Sequence, residues 1–251
     1  MPRRLDIDVA DTEYQPGLLA RVYRPRASTP LAGVLDVHGG NWTSENRLQM
    51  QALDAALASN GVLVAAIDYR LAPAHPYPAS VDDVRVAADW LRTHFAGAVG
   101  ALGSSAGGHL VILCGLRGAK FDFVVADAPI TDVAESLRNE THSHPYWPTE
   151  QAIHDGNPIE VLERGEAVAL PPLLITHGAA DLAVPLATSQ TFVERYRRAG
   201  GNAELRVFAG QGHAFILTHP RRRESADQAA AALAFIRALA LATPSTGCRD
   251  T

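Results

Sequence analysis

Short apolar runs alternate with helix-length stretches along almost the whole chain, and this alternation restricts the fold more than any single motif does. The run Val62-Leu63-Val64-Ala65-Ala66-Ile67 is apolar on both sides of the pleat, so a strand here must be covered on both faces, as strands of a parallel sheet are. Similar runs predict strands over Leu18 to Tyr23, Gly33 to Val37, Val99 to Leu102, Phe121 to Ala126, Leu173 to Thr176 and Glu204 to Phe208. The segments between them predict helices over Leu48 to Ser59, Ser80 to Phe95 with Ser80 as its cap, Gly108 to Leu116, Leu186 to Ala199 and Ser225 to Leu241. The expected fold class is α/β: a doubly wound, mostly parallel central sheet with helices on both faces. With 47% hydrophobic and 20% charged residues, the 251-residue chain has enough apolar surface for one large core, so a single domain over 1–251 is expected.

One stretch breaks the alternation. From about 130 to 170 the chain runs roughly forty residues without a clear strand, the mark of a functional insertion or lid. A cap of this kind belongs over the carboxyl edge of the sheet, where open α/β sheets bind their ligands. The tail from about 243 to 251, TPSTGCRDT, reads as flexible.

The net charge of −5 offers no basic stripe for nucleic acid or an anionic membrane, and Arg221-Arg222-Arg223 reads as the solvated start of a helix. No apolar region follows the basic residues of MPRRLDIDVADTEY, and no window reads as a membrane span, so a cytoplasmic protein is expected. Two cysteines suit a reducing compartment, with Cys114 in the core and Cys248 an exposed bystander. The glycosylation patterns at Asn41 and Asn139 are then chance matches. His142 and His144 with Asp155 read as polar surface, and neither a metal nor a cofactor is expected.

Gly103-Ser104-Ser105-Ala106-Gly107 fits G-x-S-x-G and lies between an expected strand and an expected helix. Such a turn holds its central residue in a strained backbone conformation, and only very small neighbours pass the adjoining elements without collision. Ser105 is the expected nucleophile and Ser104 a small spacer; a helix N-cap is the plainer role for such a serine. The lysine of a phosphate-binding loop is absent. A serine hydroxyl needs a base, an acid to orient that base and donors for an oxyanion. His213 in Gly210-Gln211-Gly212-His213 and Asp181 in His177-Gly178-Ala179-Ala180-Asp181 each follow an expected strand, and the order Ser, Asp, His is that of an α/β-hydrolase triad. The plainer alternatives are a helix-capping Asp181 and a surface-loop His213. His38-Gly39-Gly40-Asn41-Trp42 follows another strand, and the N–H groups of Gly39, Gly40 and Ala106 are the expected oxyanion donors.

Taken together, HGGNW, DYRLAP with the prolines after it, GSSAGGHL, HGAADLAVP and GQGHAF resemble the α/β-hydrolase esterases of the hormone-sensitive-lipase type and their small carboxylesterase, BD-FAE-like relatives. The resemblance spans about residues 17 to 240 and implies an α/β-hydrolase fold and a serine carboxylesterase working through an acyl-enzyme on small, moderately hydrophobic esters. HGG followed by x-Trp also resembles arylformamidases, so an amidase on the same triad is the second reading and a non-catalytic ligand-binding relative the third. Expected substrate-facing positions are His38, Asn41, Trp42, Ser104, Tyr146, Trp147 and Phe215; for Trp42, Tyr146 and Trp147 ordinary packing is the alternative. The expected partner is a small-molecule ester, with neither nucleic acid nor membrane, and a homodimer is compatible with the sequence. Arg70 is expected either to pair with Asp82 or Asp83 or to be solvated. Asp36, inside an apolar strand, demands a partner that the sequence does not name.

Overall fold

The computed structural model of the chain describes residues 6–26, 28–138 and 144–242. Eight strands form one sheet: β1 (Ile7–Gln15), β2 (Leu18–Pro25), β3 (Ala32–Val37), β4 (Val62–Ile67), β5 (Val99–Ser104), β6 (Val124–Asp127), β7 (Leu173–Gly178) and β8 (Ala203–Phe208). Their order in space is β1-β2-β4-β3-β5-β6-β7-β8, with β2 antiparallel to both β1 and β4 and every pairing from β4 to β8 parallel. All residues of β3 through β7 are buried, which is why their sequences read as mostly apolar runs rather than as alternating ones.

Helices cover both faces. On one side lie α2 (Ala79–His94), α3 (Ala106–Leu116) and α7 (Leu186–Arg198); on the other lie α1 (Gln51–Ala58) and α9 (Arg223–Ala242). Each face has its own core, because alternate residues of one strand point to opposite sides: Leu35 and Val37 pack toward α2 and α3, while Val34 packs toward α1 and α9. Contrary to the expectation that no stretch reads as a membrane span, α9 is 20 residues long with a mean hydropathy of 1.3 in its most apolar window, enough by length and composition to cross a bilayer. In the fold it lies along the sheet against α1, β3 and β7, and buries Ser225, Gln228, Ala231, Ala232 and Ile236.

Two local expectations are revised. Ser80 is not the cap of α2: Pro78 holds that position, and the buried Ser80 hydroxyl bonds the Tyr146 phenol. The strand expected from Phe121 begins only at Val124; before it the Asp122 carboxylate takes the Val99 N–H at 2.7 Å, while the Asp122 N–H donates to the Val99 carbonyl at 2.8 Å. The segment between β6 and β7 carries α4 (Val133–Leu137), α5 (Glu150–Gly156) and α6 (Pro158–Glu163), with no strand among its described residues. Asp132 and Thr149 cap α4 and α5 by accepting N–H groups three residues on. Asn139, His142, Cys248 and the tail from 243 lie outside the described residues, while Cys114 is buried in the core. Arg70 pairs with the buried Asp83 at 2.8 Å, and its own N–H reaches the same carboxylate at 2.9 Å.

Candidate active site

β5 ends in a turn so tight that Ser105 has φ 54° and ψ −117°, a conformation side chains avoid unless the surroundings enforce it. Those surroundings are visible: the Ser105 N–H donates to the Asp127 carbonyl at 2.8 Å, and the Ser105 carbonyl accepts from His109 N–H at 3.0 Å as α3 starts. A Cβ on Gly107 would stand 1.9 Å from the Val37 carbonyl oxygen, and one on Gly103 would stand 2.5 Å from the Gly107 carbonyl, so both must be glycine.

His213 reaches Ser105 from the loop after β8. Its Nε2 lies 3.0 Å from Ser105 Oγ and its Nδ1 2.7 Å from Asp181 Oδ2. A carboxylate only accepts, so Nδ1 carries the proton and Nε2 is left to accept from the serine hydroxyl. The two loops run in contact: a Cβ on Gly178 would meet the Gln211 carbonyl at 2.3 Å, and Ala180 N–H donates to that carbonyl at 2.8 Å. Asp181 does not cap α7, whose N-cap is Pro185. Its Oδ1 instead accepts the N–H groups of Ala183 and Val184, both at 2.9 Å, and its Oδ2 also faces His177 Nε2 at 3.2 Å. Burial pushes this carboxyl up, but hydrogen bonds from His177, His213 and Val184 outweigh that and hold it well below the usual carboxylate range. His177 is fixed in turn by Ser189 Oγ at 2.9 Å and the Val184 carbonyl at 2.9 Å.

The HGG loop is pinned through its carbonyls. Tyr69 OH donates to the carbonyls of His38 (3.1 Å) and Gly39 (3.2 Å), His38 Nδ1–H donates to Gly39 O at 2.8 Å, and Thr43 and Ser44 N–H donate to Gly40 O at 3.0 and 3.1 Å. In a trans peptide the N–H points opposite the carbonyl, so anchoring Gly39 O and Gly40 O aims the N–H groups of Gly40 and Asn41 the other way. Among the described residues no acceptor bonds the N–H of Gly40, Asn41 or Ala106. The Gly39 N–H, expected to be a free donor, is instead bonded to the Gln49 side-chain oxygen at 2.7 Å. Gly40 has φ 99°, and a Cβ there would strike the Ser44 carbonyl at 2.3 Å.

Few of the residues expected to face substrate are free to do so. Burial pushes His38 down to about 4, so the ring is neutral, and it stacks on Tyr69 with centroids 4.1 Å apart. Ser104 gives its hydroxyl to Asp127 Oδ2 at 3.1 Å, in a buried network that joins Asp127 to Thr176 and Gln228. Burial pushes Asp127 up, and those three hydrogen bonds oppose the rise. Phe215 is buried against Phe208 with centroids 5.2 Å apart. Trp42 is fully buried, stacked on Tyr146 (5.1 Å, 6°) and edge-on to Trp147, and its Nε1–H donates to His109 Nδ1 at 3.2 Å. His109 Nε2 therefore holds the proton and donates to the Gly156 carbonyl at 2.8 Å. Packing is thus the role of all three aromatics: they join the HGG loop, α3 and α5. Asn41 stays exposed, its side-chain amide 2.8 Å from His144 Nε2. Tyr69, His109 and His177 lie inside the quoted motifs without a role assigned to them there, and Gln49 and Asp127 carried no sequence signal at all.

The BD-FAE family model matches residues 21–196. Esterase LipC of Mycobacterium tuberculosis is 29% identical over 245 residues, 80% of this chain but 58% of its own length; the chain spans little more than half of that curated relative. The crystal structure of esterase B from Lactobacillus Rhamnosis superimposes with a TM-score of 0.81 at 20% identity, covering 96% of this chain and 88% of that one. A hormone-sensitive lipase from a metagenome library gives 0.78 at 23% identity over 96% and 86% of the two chains. At such identities these likenesses speak to the α/β-hydrolase fold.

Proposed function

The chain belongs to the BD-FAE family, and from that premise together with the site's geometry we propose a serine carboxylesterase that cleaves small, moderately hydrophobic esters through an acyl-enzyme. The observation that carries this reading is the hydrogen-bonded chain from Ser105 through His213 to Asp181, at 3.0 and 2.7 Å, beside backbone N–H groups that have no acceptor among the described residues. Ser105 Oγ attacks the ester carbonyl while His213 Nε2 takes its proton, and Asp181 stabilises the resulting imidazolium. The oxyanion is held by the N–H groups of Gly40, Asn41 and Ala106, the last at the positive end of α3. His213 then returns the proton to the departing alcohol, and a water activated by the same imidazole releases the acid. LipC, named an esterase, supports the carboxylic ester class.

Ser105→Ala is expected to lower hydrolysis of p-nitrophenyl butyrate by roughly 10⁴-fold or more while leaving the melting temperature unchanged, since triad serines act as part of a unit. A fluorophosphonate should label the wild type at Ser105 and nowhere on the variant. Undiminished turnover by the variant would refute the assignment. A panel setting short-chain esters against N-formylkynurenine separates ester from formamide specificity, and a strong preference for the formamide would replace the esterase reading.

A further inference from the structure

Resting on that reading of the site, we infer that Gln49 is a positioning residue for the oxyanion loop. Its Oε1 accepts the Gly39 N–H at 2.7 Å, and the carbonyl across the same peptide plane, His38 O, accepts from Tyr69 OH at 3.1 Å. One plane is therefore gripped at both ends by side chains from two different segments. Rotation of that plane would swing Gly40 and Asn41, because each peptide inherits its direction from the one before. The tolerance is small: a Cβ on Gly39 would lie 3.0 Å from Ser104 O and 3.3 Å from Ser105 Cβ, so this plane passes directly beside the nucleophile.

Gln49 is itself held. Arg47 in the same turn donates its backbone N–H to Asp68 Oδ1 at 2.9 Å and its guanidinium to Asp68 Oδ2 at 2.7 Å, and Gln49 N–H bonds Asn46 O at 3.1 Å. Asp68 follows the end of β4, next to the Tyr69 that grips the other side of the plane. The ends of β3 and β4 are thus laced together through the turn that carries Gln49. The bond also occupies the Gly39 N–H, so the oxyanion meets only the donors beyond it.

Gln49→Met keeps length and bulk without the acceptor, and Gln49→Ala removes both. In the full chain with p-nitrophenyl butyrate, each is expected to lower kcat about tenfold, the scale of one hydrogen bond's net contribution, with KM within about twofold of wild type. Affinity for an alkyl trifluoromethyl ketone, whose adduct with serine bears an oxyanion, should fall by the same factor as kcat. Independently of turnover, the Gly39 amide should be protected from hydrogen exchange in the wild type and lose that protection in both variants. Unchanged kcat in both variants, or a fall in melting temperature with ketone affinity unchanged, overturns the inference. An inert wild type, or an active Ser105→Ala, overturns the esterase reading instead, so the two failures are distinguishable.

Discussion

A methyl group on Gly107 would stand 1.9 Å from the Val37 carbonyl oxygen, backbone against backbone, with no side chain able to yield. Gly107→Ala is therefore expected to destabilise the fold by at least about 3 kcal/mol, read as a lower urea midpoint, because the change forces apart two buried elements. Steric demands of this kind leave a spacing in the sequence, which is why the elbow around Ser105 was legible there; His213 and Asp181, which converge on it, were legible as polar residues in glycine-rich loops after strands. The Gln49 bond to Gly39 N–H was not: a side-chain acceptor arriving from a turn leaves no periodic trace. Nor was the commitment of Ser104 to Asp127, which depends on which face of β5 Ser104 occupies. Asp181 carries a prediction of its own. Asp181→Asn should lower kcat roughly 10⁴-fold by favouring the wrong His213 tautomer. Because its folded carboxyl lies below its unfolded value near 3.9, its stabilisation is present above about pH 4 and lost as the pH falls further. The variant's melting temperature should accordingly fall less between pH 5 and pH 3 than that of the wild type.

Among elements, the buried parallel strands announced themselves by composition, whereas β1 did not. Of its nine residues only Tyr14 is buried, so it has no apolar face to read; it exists by pairing with β2 across the Gly17 turn. The helices between β6 and β7 were hidden for a different reason: each is seven residues or shorter, held by caps and by contacts rather than by its own periodicity. What fastens this segment is the aromatic cluster around Trp42, whose Nε1–H supplies the donor that the fully buried His109 Nδ1 accepts. Burial pushes His109 down to about 4, so the ring stays neutral near pH 7 and the donor is needed. Trp42→Phe leaves that nitrogen unpaired and is expected to cost about 1–3 kcal/mol, or roughly 3–10 °C in melting temperature. If the difference vanishes in a His109→Phe background, the loss belongs to this bond; additive losses would assign it to ring packing alone.

The whole molecule is two helical layers on one sheet, with Ser105, Asp181 and His213 gathered at its carboxyl edge, and the layering was readable in the alternation of runs. The partner of Asp36 was not, because it comes from the other layer: Asp36 on β3 and Asp54 on α1 are both buried and interact across the core beneath α1. No donor among the described residues reaches Asp36 Oδ1 or either Asp54 oxygen, so a proton on one carboxyl is the donor the pair needs. Burial pushes Asp36 up to about 7, against a lowering by its bond to Asp54; burial and the Asp36 charge raise Asp54 further. Folded values above the unfolded ones mean that the folded chain holds protons the unfolded chain has already released. The pair's stabilisation is thus complete below about pH 4, shrinks as the pH rises through 7, and goes on shrinking above it as the second carboxyl is forced to ionise. Asp54→Asn replaces one charge by a neutral amide that can donate to Asp36. Its melting temperature should exceed that of the wild type at pH 8 by at least about 2–4 °C, the shift produced by ~1 kcal/mol in a chain of this size, with the gap closing toward pH 5. A gap that is constant across pH would mean the two carboxyls do not share a proton.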